Sequence, residues 1–216
     1  MDTVLEFLKT LAANNNREWF QENKKWYNES KEKVLFLTDV LINEIGKFDP
    51  EVRGLRPQDC MFRIFRDVRF SKDKRPYKTN FGSFICKGGR KSMNPGYYFH
   101  LEPEGCFVAG GIYMPPSDVL RTIRTYVADH AEEFLEITKD PGFKKEFPEM
   151  YDDKLKTAPK GFPKDHEYIE LLRYKSFIFS KSLNDKEVKS KNYVETMVNT
   201  FRGLYPVNAY LYRALE

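Results

Sequence analysis

The chain has 216 residues, of which 41% are hydrophobic and 15% aromatic, and it carries a formal net charge of +4 at neutral pH. So many core formers exclude a disordered protein, and no apolar run approaches the length of about 18 residues that a bilayer-spanning helix needs. The modest positive balance permits an anionic partner without requiring one.

A single domain of this length would bury roughly 70% of its unfolded surface, so one sizeable core is expected. The opening stretch MDTVLEFLKTLAANNN has Asp2 and Glu6 where a secretory signal carries bases, and nothing in it directs export. Cys60, Cys86 and Cys106 are odd in number and lack CxxC spacing, which argues against a disulfide framework or a structural zinc site. A reducing cytoplasm is the expected setting.

Val4, Leu5, Leu8 and Leu11 predict an amphipathic helix over Asp2 to Ala13, ending at Asn14, Asn15 and Asn16. A second helix is expected from Arg17 to about Ile45, with a break near Asn28 to Ser30 and Gly46 closing it. Trp19, Phe20 and Trp26 read as packing residues. After a turn-rich segment the period changes, and Phe62 to Asp67 reads as a strand with Arg63 and Asp67 on one side.

Four more strands are expected at Phe81 to Cys86, Gly96 to Glu102, Cys106 to Tyr113 and Tyr174 to Ser180. Glu102, Pro103, Glu104 and Gly105 supply the clearest hairpin turn. Pro115, Pro116 and Ser117 start a long helix carrying Leu120, Ile123, Val127, Phe134 and Ile137, and Asp140 with Pro141 opens a shorter one. Asp165 is placed to cap a helix of about two turns ending near Arg173. The C-terminal part reads as two helices, Asp185 to Arg202 and Pro206 to Leu215. With no repeat or linker, the expectation is one α+β domain over residues 1–216, a mostly antiparallel sheet of about five strands with helices before, within and after it.

The stretch Met61 to Asn80 stands out electrically. Arg63, Arg66, Arg69, Lys72, Lys74, Arg75 and Lys78 face only Asp67 and Asp73, a local net of +5 that exceeds the +4 of the whole chain. Arg forks and Lys point charges, interleaved with Tyr77, suit an anion site built from Arg63, Arg66, Arg69, Lys74, Tyr77 and Lys78. Strand alternation separates Arg63 from Arg66, however, and the competing reading is a structural network in which Asp67 and Asp73 neutralise two of the cations. Tyr98 and His100 share a strand face, so His100 is a candidate acid or base, with Asp67 a second. Lys160 and His166, beside Asp165, are candidates to complete a pocket from a distant part of the chain.

His100, His130 and His166 show no paired metal-ligand spacing, and no Walker loop, GxGxxG or GxSxG is present, so neither metal nor cofactor is assigned. The leading expectation is a site for a phosphate-bearing or other anionic small ligand, with acid/base catalysis open. The alternatives are a nucleic-acid-binding module that stacks bases on Tyr77, Tyr97 or Tyr98, and a protein-interaction scaffold.

Five segments together resemble the family defined as domain of unknown function 2461: NNNREWFQENK at Asn14, FRIFRDVRFSKDKRPYKTNFG at Phe62, PGYYFHLEP at Pro95, GGIYMP at Gly110 and PKGFPKDH at Pro159. The resemblance implies one domain along the whole chain. It brings no reaction, cofactor or substrate with it.

Overall fold

A computed structural model describes residues 1–216. Val4, Leu5, Leu8 and Leu11 bury one face of α1 (Asp2–Ala13). The asparagines then punctuate both sides: Asn14 caps α1, and the Asn16 side chain accepts the Trp19 amide to start α2 (Arg17–Glu22). The break expected near Asn28 falls instead at Asn23, whose side-chain amide donates to the Trp19 carbonyl at 2.9 Å. α3 (Lys24–Ile45) runs unbroken through Asn28 to Ser30. A 3-10 turn (Pro50–Val52) and α4 (Pro57–Cys60) follow.

The sheet has four strands, β1 (Phe81–Cys86), β2 (Gly96–Leu101), β3 (Phe107–Ile112) and β4 (Phe177–Ser182), in that order and antiparallel throughout. The fifth expected strand, Phe62 to Asp67, makes only one isolated bridge, Phe65 to Tyr77, with another at the preceding residue, Met61 to Ser83. It folds back on its own loop, with the Arg66 amide donating to Pro76 and the Lys78 amide to Ile64. Pro76 has no N–H to return, so the ladder stops there.

Between β3 and β4 lie α5 (Ser117–Lys139), α6 (Pro141–Glu146) and α7 (Ile169–Leu172). Asp140 caps α6 through the Phe143 amide at 2.8 Å. Asp165 caps nothing: α7 is a single turn that begins after Tyr168. The C-terminal part is α8 (Asp185–Lys189) and α9 (Tyr193–Arg213), and α9 passes straight through Pro206. A mid-helix proline costs about 3 kcal/mol. Each large side chain that α9 buries, among them Phe201, Leu204, Val207 and Leu211, returns roughly 1.5–3 kcal/mol, so packing decides.

Register fixes the faces of the sheet. Phe81, Tyr97, Phe99, Leu101, Val108, Ile112, Phe177 and Phe179 are buried on one side. There the Thr38 hydroxyl of α3 meets Ser83 at 2.9 Å, Leu204 of α9 rests on Gly110, and Phe134 of α5 packs edge-on against Phe177. One continuous core of 46 buried residues runs from α1 to α9. The opposite face presents Phe84, Tyr98, His100, Phe107 and Ile178, all half-buried. No helix is long and apolar enough to cross a membrane.

Candidate functional site

The basic arm, residues 61–80, is held down at its base by a plug. Tyr77 is buried and stacks on Phe20 with ring centroids 3.9 Å apart. The Asn15 side chain imitates a backbone unit beside it, donating to the Tyr77 carbonyl at 3.0 Å and accepting its amide at 3.1 Å. Tyr77, expected as a hydrogen-bond donor to a ligand, seats the arm through its ring, which is taken up by the core.

Beyond the plug the arm divides. At the tip every candidate cation has a partner: Arg69 forks onto Asp67 at 2.7 and 3.0 Å, and Asp73 receives both Arg66 at 2.7 Å and Arg75 at 2.8 Å. Lys74 donates to the Val68 carbonyl at 3.1 Å. Arg69 holds the Asp67 carboxyl below the usual carboxylate range, and Arg75, then Arg66, do the same to Asp73. Asp67 therefore stays ionised in an exposed ion pair, a poor place for a proton-transfer group.

The root is different. Arg63 and Lys78 form no ion pair, although Arg63 is near enough for its charge to act on Lys78. Burial, and after it Arg63, holds the Lys78 ammonium below its ordinary pKa. Its nitrogen lies 5.5 Å from the Phe62 ring centroid, and Phe62 meets Tyr98 edge-on at 6.1 Å. Phe62 thus joins the root of the arm to the open face of the sheet.

On that face, alternation along β2 brings Tyr98 and His100 into one row, and Glu102, just beyond the strand, extends it. His100 Nε2 lies 3.1 Å from Glu102 Oε2, while Nδ1 lies 2.9 Å from the Tyr98 hydroxyl and 3.4 Å from the Asn80 side-chain nitrogen. An ionised carboxylate only accepts, so in the neutral imidazole the ring proton sits on Nε2 and Nδ1 accepts the Tyr98 O–H. Thr79 donates to the other Glu102 oxygen at 2.6 Å, and Phe107 stacks on the imidazole at 4.8 Å. Burial, with Glu102 second, pushes the Tyr98 phenol up to about 12. The row fits only because residue 82 is glycine: a Cβ there would stand 2.5 Å from the Tyr98 hydroxyl.

Phenol, imidazole and carboxylate in series are an arrangement in which the third group orients a base against the first, able to hold or move a proton at Tyr98 Oη. Sequence reading found Tyr98 and His100 but not Glu102, Thr79 or Asn80. Glu102 was detectable, being the next residue of the same alternation; the other two come from the arm and depend on tertiary placement.

Lys160 and His166 lie elsewhere, and neither makes a hydrogen bond, ion pair or ring contact with the arm or the Tyr98 row. Lys160 lines a cleft at the start of α5, and His166 accepts the Tyr168 amide at 3.1 Å through Nδ1. His130 is a kink residue within α5, and no cluster of three or more His, Cys, Asp or Glu is placed to hold a metal.

These features define an α+β protein whose antiparallel sheet is backed by helices on one face and carries a polar, aromatic row on the other. The chain belongs to the family described as conserved hypothetical protein (DUF2461), whose profile matches residues 3–210. No curated protein and no solved structure matches it.

Proposed function

We propose that the protein binds a phosphate-bearing or other anionic small ligand at the root of the arm, between Arg63, Lys78 and the Tyr98 row. The observation that carries this reading is the pair of cations itself. Arg63 acts on half-buried Lys78 as a like charge and neither forms an ion pair, although Arg63 also acts on Asp67, so an anion between the two cations would relieve their repulsion. The surrounding rings of Phe62, Tyr98 and Phe107 offer an apolar wall. In this reading Tyr98, oriented through His100 and Glu102, provides acid/base chemistry on the bound ligand.

Thermal-shift titration with inorganic phosphate, sugar phosphates and nucleotides tests the proposal. Stabilisation by at least one of them, abolished in Arg63→Ala/Lys78→Met and retained in Arg69→Ala/Arg75→Ala, is the expected result. No stabilisation across the panel, or equal loss in both variants, would reject it.

A second reading, binding of single-stranded nucleic acid, draws on Phe70, 95% exposed at the tip between Arg69 and Lys72, and on half-buried Phe84 and Phe107 on the sheet. Base stacking on such rings with cations alongside weakens steeply with salt. A gel shift that persists unchanged at high salt, or its absence, would dismiss this alternative.

A further inference from the structure

We infer that the protein has a second anion site, a phosphate-monoester cleft at the start of α5, separate from the arm. The cleft has a volume of about 420 Å³ and is lined by Ser117, Asp118, Arg121, Arg124, Lys160 and Phe162. Ser117, Arg121 and Arg124 stand at i, i+4 and i+7, so helix geometry puts all three on one face. Lys160 and Phe162 come from the loop before α7, where Gly161 takes a left-handed φ of 94° between them.

Arg124 is the decisive residue. Its side chain is only 8% exposed, it forms no ion pair, and its one hydrogen bond is from Nη2 to the Tyr174 carbonyl at 2.8 Å. Nε is buried with no partner at all. A buried guanidinium is costly unless an anion or several acceptors meet it, and Arg124, short of acceptors, is one of the residues that line the cleft. Burial also holds its pKa below the ordinary arginine value, in keeping with a cation short of acceptors.

The rest of the lining fits the same guest. Arg121 and Lys160 are exposed cations without ion pairs, and no side chain caps the first turn of α5, a helix of 23 residues whose free amides favour an anion. Two guanidinium forks, an ammonium, the Ser117 hydroxyl and these amides offer more donors than the two oxygens of a carboxylate accept. The three terminal oxygens of a phosphate monoester match them better. Asp118, an unpaired acceptor in the same wall, selects a ligand that also carries a hydroxyl or amine donor, and Phe162 covers its carbon skeleton.

The test is a titration of the 15N-labelled full chain with inorganic phosphate and with glycerol 3-phosphate, against chloride at matched ionic strength. Saturable shifts of the Ser117 to Val119 amides and of the Arg124 Nε–H resonance are expected. Arg121→Ala/Lys160→Ala alters only exposed side chains and should weaken binding at least about tenfold, whereas Arg63→Ala/Lys78→Met should leave it intact. Shifts absent at these groups, reproduced by chloride, or undiminished in Arg121→Ala/Lys160→Ala would overturn the assignment. Saturation confined to residues 62–80 and 98–102 would overturn it too, while supporting the arm site.

Discussion

The tip and the root of the basic arm contain the same residue types, yet they are different objects. At the tip Arg66, Arg69 and Arg75 are matched by Asp67 and Asp73. Lys72 and Lys74 at the tip and Arg63 and Lys78 at the root form no ion pair, but of these four only Lys78 is half-buried, and the root alone is joined through Phe62, Thr79 and Asn80 to the Tyr98 row. A concentration of charge is thus a weak pointer to a site until its internal partners are subtracted. What remains after subtraction, and what lies beside it, carries the chemistry.

Removing the plug gives the largest expected break in this comparison. Tyr77→Ala deletes a buried ring stacked on Phe20 and should cost about 3 kcal/mol of stability in urea unfolding. It should free tip and root together, seen as faster amide exchange across residues 62–80. A separate loss at the root follows from Gly82→Ala. The new Cβ collides with the Tyr98 hydroxyl, for an expected cost of about 2 kcal/mol and loss of the Tyr98 to His100 hydrogen bond, while the tip is unchanged.

Glu104→Gly works in the opposite direction. Glu104 holds φ at +61° in the turn that follows Glu102, a left-handed conformation that costs a residue with a Cβ about 1 kcal/mol. Glycine should recover part of that as a higher urea midpoint, with Glu102 kept in its place. The smallest effect belongs to the tip: Arg69→Ala should leave the unfolding midpoint unchanged, since exposed pairs contribute little. Asp67 and Asp73 have folded pKa values below their unfolded ones, so their contribution is present above the ordinary carboxylate range and fades as pH falls beneath it. Amide shifts of residues 67–75 should therefore hold steady between pH 7 and 5 and move only in stronger acid.

Much of the fold was legible because it follows from periodicity. The apolar spacing of α1 and α5, the aromatic alternation of β2 and the turn at Glu102 to Gly105 all appear where residue pattern puts them. Pattern failed where long-range packing outweighed a local preference: Pro206 sits inside α9, and Phe62 to Asp67 pairs with its own loop. Within the site, Tyr98 and His100 were readable from one strand. The sorting of cations into matched and unmatched depends on which acids the arm's curl brings within 3 Å, as with Arg66 and Asp73 at 2.7 Å, and no spacing rule reports that. Arg124 escaped notice for a similar reason, since a single arginine on a helix looks solvated until its burial is known.

The most direct test of the central contrast is the titration of the Lys78 side chain by 13C NMR, with and without phosphate. In the free protein its midpoint should lie below that of an unperturbed lysine, and bound phosphate should raise it, because an anion favours the charged ammonium. A midpoint already at the ordinary lysine value, and unmoved by phosphate, would contradict the account.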